Sequence, residues 1–225
     1  VLFRSGVTAA KGFEAASTAA GIKYKDRKDM AMIFSKTPCD VAGTFTTNLV
    51  KAAPVKWDQE VVVNSKCAHA VVVNAGIANA CTGDEGMGYC KETADCAAEL
   101  LDISSDSVLV ASTGVIGKQL PMDRIKNGVK NMVPELKDSL EAGHEAALSI
   151  MTTDTKEKEI AVEIELSGKT VTIGGMCKGS GMIHPNMCTM LSFVTTDAKI
   201  SKQMLQEALS EDVKDTYNMI SVDGD

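Results

Sequence analysis

In the stretch Glu159-Ile160-Ala161-Val162-Glu163-Ile164-Glu165-Leu166-Ser167-Gly168-Lys169-Thr170-Val171-Thr172-Ile173, the apolar Ile160, Val162, Ile164 and Leu166 alternate with Glu159, Ala161, Glu163 and Glu165. Successive side chains of a strand point to opposite faces, so Glu159 to Leu166 predicts a strand with one buried apolar face and one acidic, solvated face. Ser167-Gly168 has the length and chemistry of a tight turn, and Lys169 to Ile173 returns as its hairpin partner. A hairpin interrupts any strict strand-helix-strand alternation. Together with the helices on either side it predicts an α+β layered fold.

Upstream, Glu60 to Val63, Ala70 to Asn74 and Ser107 to Ser112 are short β-branched runs between polar or glycine-containing stretches and read as buried strands. Between the last two, Asp84 to Leu101 repeats Met87, Cys90, Ala94, Ala97, Ala98 and Leu101 at helical spacing, with Thr82 or Asp84 as its cap. Pro121 suits a first helical turn and opens a helix to about Met132, and Asp138 to Ile150 forms another. Downstream, Met190 to Val194 reads as a strand. Ser201 caps a helix to about Ser210 with Met204, Leu205, Ala208 and Leu209 inward.

Between hairpin and last strand lies Gly174-Gly175-Met176-Cys177-Lys178-Gly179-Ser180-Gly181-Met182-Ile183-His184-Pro185-Asn186-Met187-Cys188-Thr189-Met190-Leu191, a flexible cationic loop leading to a threonine. A hydroxyl is a weak nucleophile at its own pKa, and one remedy is the amine freed when the peptide bond before the threonine breaks. An α-amine with a pKa near ~8 accepts a proton around neutrality, so nucleophile and base would be one residue. The loop is not a phosphate cradle, because Cys177 precedes Lys178 where a P-loop requires glycine, and Gly179 follows where it requires Ser or Thr.

The chain has 225 residues, 44% of them hydrophobic and 24% charged, which suits a globular polypeptide of one large domain or two small ones. Its net charge of -7 argues against a nucleic-acid surface. No apolar run approaches a membrane span and no secretory leader is visible, so a cytoplasmic protein is expected. Seven cysteines (Cys39, Cys67, Cys81, Cys90, Cys96, Cys177 and Cys188) form no CxxC pair and meet only three histidines. They fit neither a disulfide framework nor a zinc site and read as buried thiols. His69, His144 and His184 assemble no Ser-His-Asp arrangement.

The glycine-rich run resembles the processing site of the ornithine acetyltransferase (glutamate N-acetyltransferase) family of the cyclic arginine pathway. Four further blocks carry the resemblance in order: Gly6-Val7-Thr8-Ala9-Ala10-Lys11-Gly12-Phe13, Phe45-Thr46-Thr47-Asn48-Leu49-Val50-Lys51-Ala52-Ala53-Pro54, Asn74-Ala75-Gly76-Ile77-Ala78-Asn79-Ala80-Cys81-Thr82-Gly83 and Ala111-Ser112-Thr113-Gly114-Val115-Ile116-Gly117. Two departures are Cys188, where the family usually has Ala, and Ile77, where Asn is common.

The resemblance implies an αββα sandwich and autocatalytic cleavage between Cys188 and Thr189. Thr189 would then take the acetyl group from N-acetylornithine and pass it to glutamate. It further implies that Thr113 and Gly114 form the oxyanion hole and that Thr152 and Lys178 bind substrate, with Thr153 as the alternative if the register slips by one. No metal or cofactor is implied, and acetyl-CoA is a candidate second donor. The cleaved α and β pieces would stay together as a heterotetramer of two of each. Residues 6–188 would form the α portion and 189–225 the start of the β chain. Val1-Leu2-Phe3-Arg4-Ser5 does not resemble the family's lead-in and is expected to be an artefact joined to the protein at Gly6. The chain is also expected to lack much of a C-terminal portion that supplies further active-site residues. Two other functions compete: a self-processing N-terminal-threonine or serine amidohydrolase or aminopeptidase, with water as acceptor, and a non-catalytic binding domain.

Overall fold

The computed structural model describes residues 1–3, 5–184 and 190–222. The strands are β1 (Leu2–Phe3), β2 (Phe13–Thr18), β3 (Met30–Cys39), β4 (Ala68–Ile77), β5 (Val108–Val115), β6 (Lys158–Leu166), β7 (Lys169–Lys178) and β8 (Leu191–Thr196). The helices are α1 (Ala53–Asn64), α2 (Glu85–Leu101), α3 (Met122–Met132), α4 (Leu140–Ser149) and α5 (Lys202–Asp215). They build two four-stranded sheets of order β2-β3-β4-β5 and β1-β6-β7-β8. Among the described residues only β4 and β5 run parallel, with α2 in the crossover between them; the other strand pairings are antiparallel.

The first sheet is buried on both faces, so its central strands read as continuous apolar runs rather than alternating ones. Met30, Met32, Ala70, Val72, Val108 and Val110 face a helical layer that contributes Cys90, Ala94, Ala97 and Ala98 from α2 and Ile125, Val129 and Met132 from α3. Their neighbours Ala31, Ile33, Val73 and Ala111 turn the other way, toward Met176 and Phe193 of the second sheet and Ala146 and Ala147 of α4. Ser139 caps α4 by accepting from the Ala142 amide at 3.2 Å. The architecture is the expected layered α+β type, with helices, sheet and sheet in succession.

Several local expectations need correction. Glu60 to Val63 is the end of α1, not a strand. Pro54 opens this helix, and the burial of Ala53, Pro54, Val61 and Val62 follows a helical period, so tertiary contact overrides the β preference of the valines. Trp57 Nε1 donates to the Val108 carbonyl at 2.9 Å, and Asp58 Oδ1 accepts from the Val110 amide at 2.8 Å, which ties α1 to β5. Neither Thr82 nor Asp84 caps α2: Asp84 makes no side-chain cap bond, and the Thr82 hydroxyl donates to Asn79 Oδ1 at 2.8 Å.

Strand β6 and its turn stand as expected, with Ser167 and Gly168 both at positive φ (51 and 75°) and Leu166 paired with Lys169. The faces of β6 are reversed. Ala161 is fully buried and the Glu159 side chain only 4% exposed, whereas Ile160, Ile164 and Leu166 are 54, 37 and 50% exposed. The inner face meets α4, where His144 Nδ1 lies 2.6 Å from Glu159 Oε1, so a carboxylate is accommodated inside by a partner.

Gly174 and Gly175 are strand residues of β7 rather than a loop. A Cβ on Gly174 would lie 2.3 Å from the Gly6 carbonyl oxygen, so glycine serves close approach here. On α5 the only buried residue is Val213, and Met204 is 60% exposed, contrary to the expected inward set. Of the six described cysteines Cys90 is buried and Cys81 exposed, so the thiols are not uniformly interior; Cys188 lies outside the described residues.

Candidate functional site

The parallel pair β4 and β5 ends in a matched register, Asn74 opposite Ser112, Ala75 opposite Thr113 and Gly76 opposite Gly114. Ser112 Oγ donates to Asn74 Oδ1 at 2.6 Å, and Asn74 Nδ2 donates to the Ile77 carbonyl at 2.9 Å, which holds the strand ends together. Gly114 has φ of 133°, and a Cβ there would lie 2.2 Å from the Gly76 carbonyl carbon. No other residue fits this backbone unchanged.

Thr113, beside it, is 6% exposed. Lys178, the last residue of β7, reaches over from the second sheet and donates from Nζ to Thr113 Oγ1 at 3.2 Å. The ammonium occupies a lone pair of the hydroxyl and leaves the O–H proton available to another acceptor. A cation behind a donor also polarises it, which strengthens the bond it makes. Lys178 is 4% exposed, and its pKa is lowered by burial, with Asp154 opposing the shift and Lys158 adding to it.

The chain leaves β7 at Gly179, whose amide donates to Asp154 Oδ1 at 2.8 Å. The same oxygen accepts from Lys158 Nζ at 2.6 Å, and Oδ2 accepts from the Thr152 amide at 3.3 Å. Thr153 Oγ1 lies 2.7 Å from Ser180 Oγ. The turn after α4 is therefore bound to the end of β7, which brings Thr152 and Thr153 into the neighbourhood of Lys178 and Thr113. Thr152 is half-buried and Thr153 exposed.

Of the residues expected from the sequence, Thr113, Gly114, Lys178 and Thr152 thus gather in one region. Cys188 and Thr189 lie outside the described residues. Of the described residues nearest to them in sequence, the Ile183 carbonyl accepts from the Val222 amide at 2.8 Å, and Leu191 pairs with Lys178. Sequence reasoning missed Asp154 as the hub. It stands in the polar run Thr152-Thr153-Asp154-Thr155, which carries no information about Gly179. Asn74 and Ser112 gave no separate signal either. Elsewhere, His69 Nδ1 meets the Ser35 carbonyl at 3.0 Å. Among the described residues no group of three or more His, Cys, Asp or Glu is placed to hold a metal ion, and no helix is long and apolar enough to cross a membrane.

The profile of the ArgJ family matches residues 14–225. The arginine biosynthesis bifunctional protein ArgJ 1 of Clostridium acetobutylicum is 50% identical over 225 residues, which are 100% of this chain and 54% of that protein. Among solved structures, the arginine biosynthesis bifunctional protein ArgJ of Bacillus halodurans is 41% identical with a TM-score of 0.78, matching 85% of this chain and 98% of its own. The ornithine acetyltransferase of Mycobacterium tuberculosis, solved in complex with ornithine, is 42% identical with a TM-score of 0.77, matching 85% of this chain and 99% of its own. The chain therefore spans about half the length of the curated relative, whereas each solved chain is matched almost completely.

Proposed function

The chain belongs to the ArgJ family, and from that premise we propose that it is the portion of an acetyltransferase of arginine biosynthesis that carries the nucleophile, the oxyanion donors and part of the substrate site. The first step is self-cleavage. Thr189 Oγ attacks the Cys188 carbonyl carbon, the peptide nitrogen departs as the Thr189 amine, and water opens the resulting ester to free both hydroxyl and amine. The Thr189 amine then accepts the hydroxyl proton as Oγ attacks the acetyl carbonyl of N-acetylornithine. Ornithine leaves with that proton, and an acetyl ester remains on Thr189. The amine of glutamate attacks this ester, giving N-acetylglutamate and the free hydroxyl.

Each step passes through an oxyanion, which needs donors fixed in place before the charge appears. The observation that carries the reading is the Lys178-to-Thr113 bond, which orients and polarises a buried hydroxyl beside the Gly114 amide. Lys178 and Thr152 would bind the amino-acid part of the substrate. Two further facts support the reading. Leu191, two positions after Thr189 in the sequence, pairs with Lys178. Solved relatives appear as chains covered 98 and 99% by this one, while a curated relative is covered to only 54%, as an internal break would produce. The two pieces would remain associated, in a cytoplasmic assembly of two α and two β chains, with no cofactor and with acetyl-CoA as a second candidate donor.

The test is expression of the chain continued to the length of its relatives. Intact mass and N-terminal sequencing should find a piece beginning Thr-Met-Leu, and Thr189→Ala should remain uncut and inactive. A single uncut chain that still transfers acetyl from N-acetylornithine to glutamate would overturn the free-amine mechanism. Hydrolysis of N-acetylornithine without transfer would point to the amidohydrolase instead.

A further inference from the structure

Asp154 lies between three segments that the proposed chemistry needs in fixed relation. Its side chain is fully buried. A carboxylate in that position is costly unless donors surround it, and here three converge from different elements. The Thr152 amide comes from the turn after α4, Lys158 Nζ from the first residue of β6, and the Gly179 amide from the residue that follows Lys178. Holding the Gly179 amide fixes where β7 ends, and so where the Lys178 side chain departs toward Thr113. Holding the Thr152 amide fixes the turn that presents Thr152.

We propose that Asp154 is a positioning residue: its carboxylate locks the Thr152 turn to the Lys178–Gly179 strand end and so fixes where the Lys178 side chain departs toward Thr113. The proposal rests on the reading of Lys178 and Thr152 as site residues, but its central claim concerns geometry and is measurable without turnover. Among the described residues, the charged groups acting on Lys178 are Asp154 from the turn and Lys158 from β6, and from β5 it meets the neutral Thr113 hydroxyl. The neighbouring Cys177 thiol is pushed up by burial and stays neutral. Burial also pushes the Asp154 carboxyl up, but the bonds from Lys158, Gly179 and Thr152 outweigh it and leave the group below its usual range, so it is charged at neutral pH.

In the 225-residue chain, titration of the Lys178 ε-carbon NMR signal, assigned by its loss in Lys178→Met, reads the ammonium directly. Asp154→Asn keeps shape and removes charge, and it should lower the Lys178 midpoint by about one unit. A Lys178 midpoint and Gly179 and Thr152 amide signals that are all unchanged by the substitution overturn the proposal. The wild-type chain gives a second test that needs no variant. As pH falls, the Gly179 and Thr152 amide signals should shift with one shared midpoint below the ordinary aspartate value of 3.8. Separate midpoints, or none, would show that no common carboxylate holds them. In the chain continued to the length of its relatives, Asp154→Asn should lower kcat/KM for acetyl transfer at least about tenfold and move the alkaline limb of its pH profile downward. A purely structural residue would lower the Tm and leave that limb in place. If wild-type protein shows no acetyl transfer while the NMR midpoints behave as expected, the functional reading fails and the positioning role stands.

Discussion

Lys178 and Thr113 meet at 3.2 Å, although 65 residues separate them and they belong to different sheets. The contact joins the end of β7 to the end of β5 across the stacked layers. One strand end presents a cation with little water around it, and the other presents a hydroxyl and a glycine amide. A group that develops negative charge between them would meet donors already in place, which is where a preorganised site gains over solvent.

Thr113→Val removes the hydroxyl with little change of shape. In the chain continued to the length of its relatives, kcat for acetyl transfer from N-acetylornithine to glutamate should fall by roughly 10²–10³-fold, with KM little changed. The Tm should fall only modestly. A variant with near-wild-type kcat would remove Thr113 from the reaction and leave the Gly114 amide as the local donor.

Gly114→Ala places a Cβ 2.2 Å from the Gly76 carbonyl carbon at a φ of 133°. The fold should lose about 3 kcal/mol or more, from backbone strain and overlap together. Gly117 supplies the control: its φ is 75° and nothing lies within 4 Å of a Cβ there. Gly117→Ala should cost only about 1–2 kcal/mol. Urea denaturation of the two variants checks the contrast, and equal costs would contradict the described β4–β5 approach.

The two faces of the second sheet yield another contrast. Ile160 is 54% exposed and Met176 only 2%. Ile160→Thr in this chain should change stability by less than about 0.5 kcal/mol, and Met176→Ala should cost about 2–5 kcal/mol. A large loss from Ile160→Thr would mean that the outer face of the second sheet is covered in the isolated chain, for instance by self-association, which sedimentation would reveal.

Thiol reactivity should separate Cys90 from Cys81. Burial pushes the Cys90 thiol up to about 12, with the Asp58 charge adding and the Asn79 hydrogen bond opposing. The reactive thiolate is therefore nearly absent at pH 8, and the group is also inaccessible. Cys81 is exposed. Maleimide labelling followed by peptide mass analysis should modify Cys81 within minutes and Cys90 only after unfolding. Early labelling of Cys90 would show that the contact between α2 and the first sheet opens readily.

Most elements were legible because their signals are local. The Asp84 to Leu101 periodicity became α2, the Ser167-Gly168 turn became the hairpin, and Pro121 marked the start of α3. Glu60 to Val63 failed because β-branched residues have only a weak preference, and the contacts of Trp57 and Asp58 with β5 settle the matter in favour of helix. Period-two alternation in β6 identified a strand but could not say which face turns inward. That choice depends on what lies on each side, and here His144 and α4 occupy the side of the glutamates.

The sequence by itself determined the layered α+β class, the family and the local identity of the residues at Thr113, Gly114, Thr152 and Lys178, since each sits in a short block whose order along the chain can be read without coordinates. Tertiary structure alone decided that these blocks converge. Asp154 binds Gly179 25 residues away, and Lys178 reaches Thr113 from the opposite sheet. Such contacts arise from the stacking of two sheets around a shared core, and no local propensity encodes them. The free energy that fixes them comes from burial of apolar groups such as Val7, Ile33, Val73, Ile150 and Met176 in the core shared by the layers.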